Sequence, residues 1–540
     1  MLWLPLTAAI FLIAGLWTGR WLATSEHDNA AREKLAEVFD IIEESYVDEV
    51  SLDSLVELTI PELLRNLDPH SVYIPAERRL AANRDLEGSF YGIGIQFQMV
   101  NDTLYIVEVI SGGAAQEAGI QAGDKIIEVD GRNIAGTGAT TDDIFGMLRG
   151  AEGTAVSVKV KRHNSAAPLN FDLVRAEVPV SPIDASYMLT DSIGYVRLGK
   201  FSDNTYPEFL RAFDGLRRDG AKSFILDLRG NGGGYMGPAV LIANEFFGSD
   251  NRLIVSTRGR NLTDNRALVS DRTGAFGTEP VVILIDEFTA SASEILAGAV
   301  QDNDRGLIIG RRSFGKGLVQ TPFELADSSE FRLTVQRYYT PSGRCIQKTY
   351  SGSDRDDYEI EVYNRYSNGE IFSADSIRVD STEIFHTTGG RPVYGGGGII
   401  PDVFVPSDTT GVTSYYIRVA NAGLLRDFAY EYADLNRDQL SESIDTGDLL
   451  SKLPSDYVLL QSFVNYANIK GGVAPRWYYI NTSAPLIVNQ IKALIARDIV
   501  GMDGYFEVVN TTDPVVLEAV RRIRSGEASH PIQNPDTSDR

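Results

Sequence analysis

The feature that most constrains the fold of this 540-residue sequence is a regular alternation of strand and helix patterns between residues 192 and 310. Short apolar runs alternate with segments in which apolar residues recur at helical spacing. The strand patterns are SIGYVRL, SFILDLR, RLIVSTRG, VVILID and GLIIG, and the helical patterns are PEFLRAFDGLRRDG, PAVLIANEFF and SASEILAGAVQ. Such alternation predicts a mostly parallel sheet with helices packed on it.

The pattern changes on both sides of this block. Residues 26–87 have helical spacing, and residues 88–177 read as short strands separated by glycine turns, with one helix at TTDDIFGMLRG. We expect the α/β block to extend over 178–410, with a polar insertion at 351–394. Helical spacing returns in 411–540, a region whose role the sequence does not reveal.

The N-terminus carries an apolar run of about 17 residues within Met1–Ala23, with tryptophans near its ends and Arg20 as the first basic residue. This pattern predicts that residues 1–25 are a membrane anchor or an export signal. A buried core helix is the alternative reading. The segment lacks a basic start and a clear A-x-A site, so cleavage is left open. We expect an exported protein, anchored in the inner membrane or periplasmic.

Composition excludes several kinds of chemistry. Lys and Arg number 50 and Asp and Glu 74, a net charge of −24, which argues against nucleic acid as a partner. The single cysteine, Cys345, cannot form an intrachain disulfide or a Cys-x-x-Cys site. The five histidines lie outside the predicted α/β strands and their turns. We expect no metal and no cofactor.

A candidate nucleophile lies in the segment VVILIDEFTASASE, residues 281–294, where a buried strand turns into a helix. A hydroxyl at a helix N-terminus lies near free N–H groups that stabilise a developing anion. Ser291 and Ser293 both fit this position, and simple helix capping is the alternative. Nothing here matches the G-x-S-x-G motif of the α/β-hydrolases.

With no well-placed histidine, a neutral lysine is the candidate base. Lys316 follows the next strand in GLIIGRRSFGKG, and parallel strands would bring it to the same sheet edge as Ser291. A solvated lysine in a glycine turn is the alternative. The segment also nearly matches a phosphate loop, but Gly317 replaces the required Ser or Thr and a strand pattern follows.

A glycine cluster, DLRGNGGGYMG, spans residues 227–237 between a strand and a helix. It formally matches the dinucleotide motif G-x-G-x-x-G, but the next strand ends on Arg258 and Arg260 instead of an acid. Consecutive glycines can also point backbone N–H groups at an oxyanion. We favour this second use, beside a serine and a lysine on one sheet.

Several of these motifs, in this order, resemble the carboxyl-terminal processing proteases, serine peptidases of family S41 that carry a PDZ domain. The resemblance covers about residues 30–410. It is carried by LLRNLDPHSVYIP, FYGIGIQF, SGGAAQEAGIQAGDKIIEVDGRNI, DLRGNGGG, TASASEILAGAVQD, GRRSFGKGLVQ and GGIIPDVFV. It implies a multidomain α/β protein: a PDZ-like β-rich domain and an α/β/α (ClpP/crotonase-like) peptidase core, with helical N- and C-terminal regions.

The resemblance also implies roles for individual residues. Ser291 would be the nucleophile, Lys316 its general base, Gln320 the residue that orients the lysine, and Glu294 the acid of the motif. The oxyanion hole would consist of backbone N–H groups of Gly233, Gly234 and Ala292. The family usually has Asn and Pro where this chain has Gly230 and Gly232, so which glycine donates stays open.

The PDZ-like domain would bind substrate C-termini by strand addition, with a backbone nest for the carboxylate at Gly92, Ile93, Gly94 and Ile95. A plain glycine turn between strands is the alternative for this loop. We therefore expect a serine endopeptidase that cleaves proteins near or from their C-termini. A non-catalytic peptide-binding scaffold of the same fold is the alternative, and a nucleotide-dependent enzyme is a third class. An activating adaptor protein is a further expected partner.

Overall fold

The computed structural model describes residues 30–350, 355–379 and 383–529. The predicted anchor, residues 1–25, lies outside these residues. Within the described ranges, no helix combines the length and apolar character needed to cross a membrane. Membrane attachment and export therefore stay predictions.

The smaller of two units consists of the described residues up to Glu77, with Pro322–Leu333 and Arg355. The predicted helical spacing produces α1, over residues 30–45, and α2, over Leu52–Arg65. The Ser51 hydroxyl caps α2 by accepting from the Ser54 N–H. The unit continues with β1 (Val72–Ile74), and α3 (Ala76–Glu87) then leads into the larger unit.

The larger unit contains a six-stranded antiparallel sheet, in which five strands follow the order β3-β4-β5-β7-β8 and β6 pairs with β5. The bounds are β2 (Ser89–Gly92), β3 (Ile95–Val100), β4 (Thr103–Val109), α4 (Ala114–Glu117), β5 (Lys125–Val129), β6 (Arg132–Asn133), α5 (Thr141–Leu148), β7 (Ala155–Lys161), β8 (Leu169–Val174) and β9 (Ala176–Pro179). Leu104, Ile126 and Ile144 lie in its apolar core. Strands β2 and β9 pair as a separate antiparallel ribbon at the entry and exit of this domain.

The predicted parallel sheet is confirmed, in the order β10-β11-β12-β15-β16-β21 with only β10 antiparallel. The elements of this region are β10 (Ile183–Thr190), β11 (Ile193–Leu198), α6 (Thr205–Arg218), β12 (Ser223–Asp227), α7 (Met236–Glu245), β13 (Asp250–Gly259), β14 (Arg266–Asp271), β15 (Val281–Ile285), α8 (Ala292–Asp302), β16 (Leu307–Gly310), β17 (Leu318–Glu324), β18 (Glu330–Tyr339), α9 (Arg355–Ser367), β19 (Ile384–His386), β20 (Pro392–Tyr394) and β21 (Val403–Phe404). Ile285 lies opposite Gly310, so β15 and β16 end side by side.

Two parts of this region differ from the sequence prediction. RLIVSTRG forms β13, but this strand pairs with β14 and β18 instead of joining the parallel sheet. The polar insertion at 351–394 contains α9, which the sequence analysis did not predict. Its buried side chains include Tyr358 and Val362, four positions apart, but this short apolar stripe lies among many charged side chains and is hard to recognise in the sequence.

The C-terminal region is helical, as predicted: α10 (Ser414–Asn421), α11 (Leu424–Leu435), α12 (Arg437–Leu440), α13 (Thr446–Lys452), α14 (Asp456–Gly471), α15 (Trp477–Ile499), α16 (Met502–Val509) and α17 (Pro514–Arg524). Helices α6, α7 and α8 contribute to the apolar core on one face of the parallel sheet. On the other face, Val515 and Val516 of α17 pack with residues of the sheet that include Leu284. Burying each valine stabilises the fold by about 1.5–3 kcal/mol. The α/β/α layering is thus completed by the last helix.

Candidate active site

Ser291 lies where β15 turns sharply into α8, one residue before the helix begins. Its backbone has φ 58° and ψ −115°, a conformation that costs energy for a residue other than glycine. Its own N–H donates to Glu294 Oε2 over 2.8 Å. The surrounding structure therefore holds this serine in a strained turn, which is typical of functional sites.

The structure distinguishes the two candidate serines. Ser293 is fully buried, and its hydroxyl donates to the carbonyl oxygen of Asn231 over 3.0 Å. Ser291 is partly exposed. A substrate can approach Ser291, whereas the Ser293 hydroxyl helps to tie the helix to the glycine loop.

Lys316 follows β16 and, as the parallel topology predicts, lies at the same sheet end as the serine turn. Its Nζ donates to Oε1 of Gln320 on β17 over 3.1 Å. Gln320 is thus in position to orient the ammonium or amine group, the role that the resemblance implied.

Glu294 joins the serine turn to the lysine loop. Its side chain is fully buried, and its carboxylate accepts four hydrogen bonds. The donors are the N–H groups of Ser291 (2.8 Å), Gly315 (2.7 Å) and Lys316 (2.9 Å), and the hydroxyl of Ser313. Burial raises the pKa of Glu294, and these hydrogen bonds oppose that shift. Glu294 acts here as a positioning residue, because its contacts are with the loops that carry Ser291 and Lys316.

Tyr338 on β18 is a second link between the two loops, which the sequence analysis missed. Its hydroxyl lies 3.0 Å from the carbonyl oxygen of Ser291 and also within hydrogen-bond distance of that of Lys316. Burial raises the pKa of Tyr338 well above its usual value, so the phenol stays protonated and able to donate. No local motif marks this tyrosine, because it reaches the site only through the pairing of β18.

Arg365 on α9 is the other residue that the sequence analysis missed. Its buried guanidinium donates to three successive carbonyl oxygens, those of Arg312 (3.2 Å), Ser313 (2.8 Å) and Phe314 (3.1 Å). Its Nε donates to Glu361 Oε1 over 2.8 Å. The loop before Lys316 is therefore held on both sides, its carbonyl groups by Arg365 and its N–H groups by Glu294.

The glycine loop lies against the serine turn. A Cβ added to Gly233 would lie 2.8 Å from Ser291 Cβ and 2.9 Å from the Ala292 nitrogen, so Gly233 touches the turn directly. The Gly233 N–H donates to Asn231 Oδ1 over 2.8 Å. This N–H, one of the three predicted oxyanion donors, is therefore already used within the protein. The Asn231 carbonyl oxygen in turn accepts from Ala290.

The predicted carboxylate nest lies apart from these residues, in the β-rich domain. A cavity of about 290 Å³ is lined by residues that include Ile93, Gly94, Ile95, Phe145 and Arg149. Gly94 has φ +82°, and a Cβ there would come within 2.9 Å of the Gly113 backbone. The Arg149 guanidinium stacks on the Phe145 ring, 4.3 Å from its centre. Arg149 therefore adds a positive charge to the wall of this largely apolar cavity.

The lysine loop is not arranged as a phosphate site. The N–H groups of Gly315 and Lys316 donate to Glu294, and that of Gly317 donates to Gln347 Oε1. The segment then continues as a strand, so no helix N-terminus follows the loop. In the part of the chain that the structure describes, no group of three or more His, Cys, Asp or Glu side chains could hold a metal ion.

Four family models match parts of the chain. They are peptidase family S41 over residues 192–357, a PDZ domain over 105–162, the N-terminal domain of the activating protease CtpB over 20–78, and a family of unknown function over 415–501. The first match contains Ser291 and Lys316. The last lies within the C-terminal helices.

Curated relatives extend this likeness over most of the chain. A carboxy-terminal-processing protease of Bartonella bacilliformis is 35% identical over 347 residues, covering 63% of this chain and 79% of the relative. The Bacillus subtilis protease CtpB is 32% identical over 329 residues, 60% and 67% of the two chains. A solved photosystem II D1 C-terminal processing protease is 27% identical, covers 69% of this chain and 92% of its own, and has a TM-score of 0.34.

Fold, site and relatives together define a serine-type endopeptidase with a PDZ domain. The chain belongs to the carboxy-terminal processing proteases of peptidase family S41.

We predict that Gly233→Ala lowers kcat at least about 100-fold, because the new methyl group would press on the Ser291 side chain. Its φ of +98° adds backbone strain. Gly232→Ala is the matched control, since no heavy atom lies within 4 Å of its added Cβ and its φ is outside the left-handed region. Peptide cleavage and melting temperature are measured for both. Equal kcat in the two variants would show that the contact between Gly233 and Ser291 does not affect catalysis.

We also predict that Arg365→Met lowers kcat about 100-fold with little change in KM, since three successive carbonyl groups near Lys316 lose their donor. Arg365→Lys should restore part of the loss, because lysine supplies charge but not the planar fork. Arg378→Met, at an exposed arginine of the same insertion, is the control. A fall in melting temperature with unchanged kcat would show a merely structural role.

Proposed function

We propose that Ser291 and Lys316 form a catalytic dyad that hydrolyses peptide bonds near substrate C-termini, and that the PDZ domain binds the substrate's C-terminus. The observation that carries the proposal is the shared carboxylate of Glu294, which binds the backbone of both Ser291 and Lys316. A lysine loop with no role in catalysis would not need its backbone bonded to the same buried acid as a strained serine turn.

In the proposed mechanism, neutral Lys316 takes the proton from the Ser291 hydroxyl, and the resulting oxygen nucleophile attacks the scissile carbonyl carbon. Gln320 accepts a hydrogen bond from Nζ and so limits where the amine can point. The lysine then gives its proton to the leaving amine as the C–N bond breaks. Water, deprotonated by the same lysine, attacks the carbonyl carbon of the acyl-enzyme ester. As the bond to Ser291 Oγ breaks, the lysine returns the proton to Oγ and the carboxylic acid product leaves.

The developing oxyanion would be stabilised by backbone N–H groups of the glycine loop and of Ala292 at the start of α8. The Gly233 N–H is bonded to Asn231, so we assign this role to Gly234 and Ala292. Gly234 is held in place by Phe201, whose N–H donates to the Gly233 carbonyl and whose own carbonyl accepts from Tyr235. Each donor is worth about 3–4 kcal/mol in the transition state.

The PDZ pocket supports recognition of an apolar C-terminal residue. Its wall includes Ile93, Ile95 and Phe97, and a glycine at position 94 lets the backbone turn so that N–H groups can face a carboxylate. We further propose that residues 1–25 direct the chain to the cell envelope, and that an activating adaptor protein regulates it. The match to the N-terminal domain of an activating protease supports the second point.

The catalytic assignment is tested with an unfolded protein substrate that has a free apolar C-terminus. We expect Ser291→Ala and Lys316→Arg each to lower kcat at least about 10⁴-fold. The first variant removes the nucleophilic hydroxyl, and the second replaces the base with an arginine, which cannot give up its proton. Ser293→Ala and Lys222→Arg are the matched controls; the first alters a buried structural hydroxyl and the second an exposed lysine. An active Lys316→Arg enzyme would rule out the dyad, and an intact substrate with wild type would favour the peptide-binding scaffold.

The PDZ assignment is tested by comparing that substrate with its C-terminally amidated twin. Wild type should cleave the free-terminus substrate faster, and Gly94→Ala should remove the preference, because its Cβ collides with Gly113. Gly146→Ala lies in the same domain, has open space around the new methyl group and should keep the preference. Circular dichroism verifies folding of both variants. Equal cleavage of the twins by wild type would refute C-terminal recognition.

A further inference from the structure

The C-terminal helices α10 to α17, residues 414–524, contact two other parts of the larger unit. We call them the helical brace. One end packs on the peptidase sheet and the other on the PDZ domain. The family model that matches 415–501 is one of unknown function.

The core end of the brace is held by apolar packing and polar contacts. Asp513, the N-cap of α17, accepts from Arg229 Nη1 over 2.8 Å. Arg229 directly precedes the glycine loop and also pairs with the buried Asp227. Asn510 donates to the hydroxyl of Tyr187 on β10 over 2.7 Å. Because α17 also covers one face of the parallel sheet, this end is part of the peptidase core itself.

The PDZ end of the brace centres on a buried polar cluster. The Tyr105 hydroxyl on β4 donates to the Asp498 carboxylate on α15, 3.1 and 3.2 Å from its two oxygens. Arg437 on α12 donates to the Tyr105 oxygen over 2.7 Å and to Asp498. The rings of Tyr105 and Tyr430 on α11 stack with centres 5.2 Å apart. Every residue of this cluster except Tyr105 belongs to the brace.

Two features at the edge of this interface add to its specificity. Lys125 on β5 donates to Asp434 on α11 over 2.6 Å, which makes an ion pair between the PDZ domain and the brace. Gly123 lies against the Arg437 guanidinium, because a Cβ there would come within 2.4 Å of it. The absence of a side chain at Gly123 therefore leaves room for Arg437 to reach Asp498.

Apart from the brace, the described part of the PDZ domain meets the core at the narrow ribbon of β2 and β9 and at Val180 and Lys200, which line the PDZ cavity. Ser89–Gly92 leads into the domain and Ala176–Pro179 leads out of it. A domain held by a two-stranded stem is free to pivot unless a second contact fixes it.

We propose that the helical brace holds the PDZ domain in one orientation relative to the peptidase core. The helical brace contacts the PDZ domain and is also packed on the sheet of the peptidase core. The core therefore sets the orientation of the PDZ domain and of its cavity. The proposal concerns geometry and does not depend on the proposed dyad.

The test measures the distance between the domains in the full chain by double electron–electron resonance. Spin labels are attached at Asp172→Cys in the PDZ domain and Asp214→Cys on α6, both exposed, in a Cys345→Ser background. The wild-type pairing should give one narrow distance distribution. Lys125→Glu should broaden and shift it, because glutamate would face Asp434. Adding Asp434→Lys, which restores an ion pair with reversed charges, should narrow it again.

Lys159→Glu is the matched control. The side chains of Lys125 and Lys159 are 33% and 34% exposed, and each pairs with one acid, but the partner of Lys159 is Glu128 within the PDZ domain. The control should keep the narrow distribution. Arg437→Leu, with folding verified by circular dichroism, removes the central cation and should broaden the distribution further. Unchanged distributions in both Lys125→Glu and folded Arg437→Leu would overturn the proposal; if Arg437→Leu does not fold, Lys125→Glu decides alone.

Discussion

The candidate active site depends on one buried carboxylate, that of Glu294. A charge without contact with water is costly unless several donors surround it, and all four of its donors come from the serine turn or the lysine loop. The need to satisfy this charge therefore draws the two loops together. Neither loop can move far from the other without leaving a buried acid short of hydrogen bonds.

Other parts of the chain hold the same two loops from outside. Tyr338 approaches from β18 and Arg365 from α9, and each donates to main-chain carbonyl groups of these loops. The carbonyl oxygen of Asn231, in the loop after β12, accepts from the N–H of Ala290 in the serine turn. Backbone groups near the site are thus paired with side chains from distant segments. This arrangement explains how a serine can be kept at a φ of 58° in an otherwise regular strand-to-helix turn.

Much of this was predictable from local sequence patterns. Short apolar runs predicted the strands of the parallel sheet, and the rule that parallel strands end at one edge placed Lys316 beside Ser291. The choice between Ser291 and Ser293 needed the resemblance or the structure, because both serines occupy the first turn of one helix. Helix α9 escaped prediction because its buried side is short and mixed. Tyr358 and Val362 are buried four positions apart, and the charged Arg365 is buried beside them, so few apolar residues mark the helix in the sequence.

The sequence by itself determined the strands, most helices and the glycine turns, because these follow from periodicity and backbone preference within a few residues, and it named the candidate catalytic residues. Only the tertiary structure decided that β13 leaves the parallel sheet, that α17 covers its second face, and that Tyr105, Arg437 and Asp498 meet. Such contacts join residues hundreds of positions apart. Their partners are selected by shape and by the cost of leaving buried polar groups unpaired, which no local pattern records.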